Sequence, residues 1–118
     1  MARILIIDDS AFQRRIVRGL LTAEGYDVRE ACNGSEGLAL ADDEIDGVLL
    51  DLIMPEMDGF AVLEALQRER PDLPAVVLSA DIQDATRQQC LALGARGFLN
   101  KPPQRDRLLA SVREMLGA

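Results

Sequence analysis

Two adjacent acids, Asp8 and Asp9, follow the aliphatic run Ile4 to Ile7, and a third acid, Asp51, follows Val48 to Leu50. Ser79 closes a similar run from Ala75 to Leu78, and Asn100-Lys101-Pro102 closes Gly97 to Leu99. In an open parallel sheet, ligands gather at the carboxyl ends of the strands, so strands with these endings would bring three carboxylates, a hydroxyl and an ammonium to one rim. Crowded carboxylates repel one another unless a cation neutralises them, and an all-oxygen ligand set favours a hard divalent ion such as Mg²⁺. A carboxylate beside that ion can act as a nucleophile towards phosphorus, with the ion and the ammonium neutralising charge on the transferring phosphoryl oxygens. Asp51, alone at the end of the central run, is best placed for that part.

Each of these residues, taken alone, has an ordinary use. Asp9 or Ser10 could cap a helix, Asp51 could punctuate a turn before Pro55, Ser79 could end a strand, and Lys101 could be a solvated charge. Their joint placement at the ends of four of five strand-like runs singles them out.

The elements that must hold them alternate in period. Five aliphatic runs, with Asp27 to Ala31 as the weakest and nearest an edge, are separated by segments of helical period, which is the pattern of βα units around a parallel sheet. A first helix is expected after Ser10, burying Phe12, Ile16, Leu20 and Ala23, exposing Gln13, Arg14, Arg18 and Glu24, and ending at Gly25. Asn33-Gly34-Ser35 opens a shorter helix through Ala41. Asp58-Gly59 opens another that turns Phe60, Leu63 and Leu66 inward and stops before Pro71. The fourth, about Ile82 to Leu93, has a thin apolar stripe of Ile82, Ala85, Cys90 and Leu93 and should be the least firmly anchored. The last carries a full stripe of Leu108, Leu109, Val112, Met115 and Leu116, although Pro103 leaves its start without a capping side chain.

The 118 residues fit one domain and leave no room for an effector domain, so the expectation is a single unit over 1–118 without an output domain. A net charge of −7 disfavours direct contact with nucleic acid or an anionic membrane. No run is long enough to span a membrane and no leader pattern is read at the N-terminus, so a cytoplasmic setting is the expectation. Histidine is absent. That removes His-dependent catalysis and His-ligated zinc, and the chain cannot be its own phosphohistidine donor. Cys32 and Cys90 lack metal-ligand spacing and read as reduced packing residues.

In order, spacing and context, Ile-Leu-Ile-Ile-Asp8-Asp9-Ser10, Leu-Leu-Asp51-Leu-Ile-Met-Pro55-Glu-Met-Asp58-Gly59, Val-Val-Leu-Ser79-Ala80 and Gly-Phe98-Leu-Asn-Lys101-Pro102 resemble the response-regulator receiver domain. The resemblance covers the whole chain. It implies a flavodoxin-like (βα)5 three-layer sandwich with a five-stranded parallel sheet of order 2-1-3-4-5. It also implies that Asp51 is phosphorylated and that Asp9, Asp51 and the backbone carbonyl of Ile53 bind Mg²⁺, with Asp8 assisting through water. Ser79 and Lys101 would each take a phosphoryl oxygen, Phe98 would be the aromatic switch, and Lys101-Pro102 would be cis. The implied partners are a sensor histidine kinase or phosphotransfer protein and an unidentified downstream protein, as in chemotaxis. The expected surface for the latter is the fourth helix, fifth strand and fifth helix, including Arg87 and Arg105.

Arg14, Arg15 and Arg18 are candidate kinase-docking charges. Ile53 and Asp81 flank the path of a hydrolysing water and should tune the acyl-phosphate lifetime. Self-phosphorylation and slow self-dephosphorylation are the only catalysis expected, from a monomer whose dimerisation on phosphorylation is left open. The alternative is a receiver-like binding module that takes no phosphate.

Overall fold

A computed structural model describes residues 1–55, 57–81 and 83–117. Ile82, placed on the fourth helix's stripe from sequence, lies outside the described residues.

The elements run β1 Arg3–Ile7, α1 Ala11–Ala23, β2 Asp27–Ala31, α2 Gly34–Leu40, β3 Gly47–Asp51, α3 Gly59–Glu69, β4 Ala75–Ser79, α4 Asp84–Ala92, β5 Gly97–Asn100 and α5 Arg105–Met115. All neighbouring strands pair in parallel, in the order β2-β1-β3-β4-β5. The chain thus forms the expected α/β sandwich, with β2 at an edge. Strands β3 and β4 are buried at every position, as their unbroken aliphatic sequence requires when helices cover both faces.

Alternation along the strands divides the core in two. Ile4, Ile6, Leu49, Val76 and Leu78 face α1 and α5, packing on Val17, Leu21, Leu108 and Val112. Leu5, Ile7, Leu50 and Val77 face the other way, towards Val62, Leu63, Leu66 and Cys90. The strand order reverses between β1 and β3, so the crevice that this leaves at their carboxyl ends lies between Asp8 and Asp51.

Side chains start three of the helices. Ser10, Asn33 and Asp58 each accept the backbone N–H three residues on, satisfying a donor that the helix itself cannot. At α4 and α5 the flanking Gln83 and Gln104 make no such bond, and for α5 this matches the expectation from Pro103.

The inward face of α1 differs from the one expected. Val17 and Leu21 are its buried residues, whereas Phe12 is 67% exposed and Ile16 37% exposed. Ala23 also faces solvent, and Leu20 is only partly covered. The helix is turned so that Arg14 reaches back under β1, donating to the carbonyl of Asp8 at 2.6 Å and to Glu30 on β2 at 3.1 Å. Arg18 reaches the same carboxylate at 2.6 Å. Cys32 is a second correction: it is exposed beside Glu36 and not in an apolar setting, while Cys90 is buried and both are free thiols.

Candidate functional site

Burial and shared geometry build the site from four strand ends. Asp8 and Asp51 are 3% and 7% exposed, and Ser79 is fully buried. Asp9, one residue further along the β1–α1 turn, is exposed. One ligand oxygen from each of Asp8, Asp9 and Asp51 can be chosen so that all three lie within 4.8 Å of one another. Lys101, from the loop after β5, places Nζ 2.8 Å from Asp8 Oδ2 and 3.2 Å from Asp51 Oδ1. The rim predicted from strand endings therefore brings together Asp8, Asp9, Asp51 and Lys101, with Ser79 at the end of the strand next to β3.

Local backbone chemistry holds each group. Asp8 accepts the Ser10 N–H at 2.9 Å, which folds the turn into α1 around its carboxylate. Behind Asp51, the N–H of Gly59 donates to Leu52 O at 2.7 Å. A Cβ on Gly59 would stand 2.5 Å from Leu52 Cα and 2.7 Å from Asp51 O, so only glycine lets α3 begin this close to the end of β3. The Lys101 N–H donates to Ser79 O at 2.9 Å, tying the β5 exit to β4, and Lys101-Pro102 is cis.

Burial, and then the charge of Asp8, push the Asp51 carboxyl above its ordinary value, while Lys101 and the N–H of Ile53 pull the other way. For Lys101, burial works against the ammonium. Its hydrogen bond to Asp8 and the charges of Asp51 and Asp8 outweigh that, and its pKa is raised. One ammonium among three carboxylates leaves the rim negative, and the all-oxygen donor set within one ion's reach fits Mg²⁺.

Two of the remaining sequence candidates belong to the strands that carry the site or the segments that follow them. Ile53 follows Asp51 by two residues with its side chain 68% exposed, and Phe98 is half-buried on β5 against the core beneath α4. The three docking arginines do not form one free basic face, because Arg14 and Arg18 share Glu30, and Arg15 alone of them is without an ion pair among the described residues. Sequence reasoning put Arg14 on the exposed face of α1 as a docking charge and missed that it braces the Asp8 carbonyl. It also missed Thr86, whose hydroxyl meets Asp81; the acid-rich turn before α4 was the available signal.

A family model described as the response regulator receiver domain matches residues 4–113. The chain belongs to the response-regulator receiver family. Receiver domains of two-component systems are phosphoacceptors, and they bind Mg²⁺ at an acidic pocket. This receiver domain is 40% identical over 119 residues to the DNA-binding dual master transcriptional regulator RpaA of Synechocystis, covering 98% of this chain and 49% of that protein. It spans about half the length of the curated relatives it matches. Among solved structures, chemotaxis protein CheY4 of Vibrio cholerae superimposes with a TM-score of 0.91 at 33% identity, covering 98% of this chain and 99% of that one. The CheX-CheY-BeF3-Mg²⁺ complex from Borrelia burgdorferi gives 0.91 at 30% identity, over 96% of this chain and 87% of that one.

Proposed function

We propose that Asp51 accepts a phosphoryl group from a phosphohistidine on a sensor kinase or phosphotransfer protein, and that the resulting change in charge is read by a second protein. The observation that carries this is the single ammonium of Lys101 within reach of two buried carboxylates, Asp8 and Asp51, beside the exposed Asp9. Asp8, Asp9, Asp51 and the Ile53 carbonyl would hold Mg²⁺, which when bound supplies positive charge to the phosphoryl oxygens. An Asp51 carboxylate oxygen forms the bond to phosphorus as the bond from phosphorus to the donor imidazole breaks, and the electron pair of that bond stays with the imidazole nitrogen. Lys101 turns from the carboxylates to a phosphoryl oxygen, and Ser79 donates its hydroxyl to another. The half-buried Phe98 follows Ser79 inward.

The docking face for the donor is apolar in this reading. Phe12, Ile16 and Ile53 are exposed on the segments that follow Asp9 and Asp51, whereas Arg14 and Arg18 are engaged by Glu30. The output face is α4, β5 and α5, in a cytoplasmic setting. Likeness to CheY4 supports a chemotaxis pathway and likeness to RpaA supports transcriptional control. The test is mass spectrometry of the parent and Asp51→Asn after acetyl phosphate and Mg²⁺. A single Mg²⁺-dependent phosphoryl adduct in the parent alone is expected, and its absence from the parent, or its persistence in Asp51→Asn, overturns the assignment.

A further inference from the structure

Ser79 Oγ accepts the backbone N–H of Asp81 at 3.0 Å. The carboxylate of Asp81 meets the start of the next helix, where Oδ1 accepts the Gln83 N–H at 2.9 Å and Oδ2 accepts the Thr86 hydroxyl at 2.7 Å. α4 depends on these bonds, because Gln83 supplies no side-chain cap and Cys90 is the helix's buried residue among those described. A carboxylate at a helix amino terminus is also favoured by the helix dipole. The two donors hold the Asp81 carboxyl below the ordinary carboxylate range.

One residue thus holds the buried Ser79 with its main chain and the first turn of α4 with its side chain. We propose that Asp81 is a positioning residue that couples Ser79 to α4, so that movement of the Ser79 hydroxyl towards a phosphoryl group is delivered to the helix through the Asp81–Thr86 bond. This rests on the phosphoacceptor reading of Asp51. As Ser79 Oγ moves inward, the Asp81 N–H follows its acceptor, and the carboxylate draws Thr86 with it. A helix anchored by one buried side chain yields to such a pull more readily than one anchored by four, as α5 is.

The test is amide NMR of the parent, Thr86→Val and Thr86→Ser, each titrated with Mg²⁺ and beryllofluoride. In the parent, the adduct should shift the amides of Ser79, Lys101 and the stretch from Arg87 to Leu91. Thr86→Val should keep the Ser79 and Lys101 shifts and lose most of the α4 response, and Thr86→Ser, which retains the hydroxyl, should restore it. Asp81→Ala should reproduce the loss. An α4 response of parental size in Thr86→Val overturns the coupling and leaves the phosphoacceptor reading standing. Loss of the Ser79 and Lys101 shifts in Thr86→Val also overturns it, because the bond would then be shaping the site itself. A parent silent at Ser79 and Lys101 overturns the phosphoacceptor reading and the coupling together.

Discussion

Lys101 occupies, with one charge, ground that the carboxylates around it would yield to a divalent ion. Its side chain is 14% exposed and its two partners less, so truncating it leaves buried carboxylates uncompensated, a loss that typically costs about 3–5 kcal/mol. Lys101→Met should therefore lower the Mg²⁺-free melting temperature while tightening Mg²⁺ by at least about tenfold, since a positive charge next to a divalent ion has been removed. Thermal melts with and without Mg²⁺ check both signs, and the variant should recover most of its lost stability when the ion is added. pH acts through Asp51. Its raised pKa means that the folded state holds a proton to higher pH than the unfolded chain does, and that ionised Asp51 subtracts from stability as pH rises through the folded value. Mg²⁺ must displace that proton, so calorimetric affinity should climb as pH rises through the folded-state value of Asp51 and then level off. Asp51→Asn should flatten the climb and raise the Mg²⁺-free melting temperature. Asp8, Asp9, Asp51, Ser79 and Lys101 could be read from sequence because each ends a strand or follows it within two residues, and a strand's end has a fixed place in a parallel sheet. That Lys101 bonds to both Asp8 and Asp51 could not, because spacing gives a residue's place on an element and not the direction of its side chain.

The phase of α1 is where periodicity and structure parted. Phe12, Ile16 and Leu20 recur at helical spacing, and so do Val17 and Leu21 about one residue round the helix, so two apolar stripes compete for the core. Arg14 decides between them: bound to the Asp8 carbonyl and Glu30, it fixes the helix with Val17 and Leu21 inward, and the other stripe is left facing solvent. Of that stripe Leu20 still packs partly on the core, and Phe12 and Ile16 are the exposed pair available to a partner. Phe12→Ala should change stability by no more than about 0.5 kcal/mol. The same change, combined with Ile16→Ala, should slow phosphotransfer from the cognate kinase by at least about tenfold, as loss of an interfacial aromatic anchor does. Acetyl phosphate, which needs no docking face, should label the double variant at the parental rate, so a matching decline in both assays would assign the effect to the site and not to docking. α4 shows the opposite outcome. Its weak anchorage was readable from the few apolar residues present, although Ala85, placed on the stripe, is exposed and Cys90 is the helix's buried residue among those described; the bond from Asp81 to Thr86 was not readable, because it depends on how the preceding turn closes.

Across the whole molecule, the aliphatic strands dictated the architecture, because β3 and β4 can be buried at every position only between two helical layers. Strand order carried less of a local signature and came from resemblance, apart from β2, whose three charged residues, Asp27, Arg29 and Glu30, mark an edge. Charge is the remaining global property, and it bears on how this receiver domain can act beside relatives such as RpaA, which is named as DNA-binding. The net charge is −7, and much of the arginine is committed to acids: Arg3 to Asp27 and Glu44, Arg14 and Arg18 to Glu30, Arg105 to Glu24. Binding to a duplex is driven by release of counterions from phosphates neutralised by free Lys and Arg, and a surface with an excess of carboxylates works against that release. Phosphorylation adds about −1.5 to −2 further units and moves the balance the same way. This chain should therefore leave the fluorescence polarisation of a labelled duplex unchanged at physiological salt, with or without beryllofluoride and Mg²⁺. A rise in polarisation that falls steeply with added salt would mean that some face gathers enough unpaired cations to defeat the net charge, and α4, with Arg87 free of ion pairs among the described residues, would be the first place to substitute.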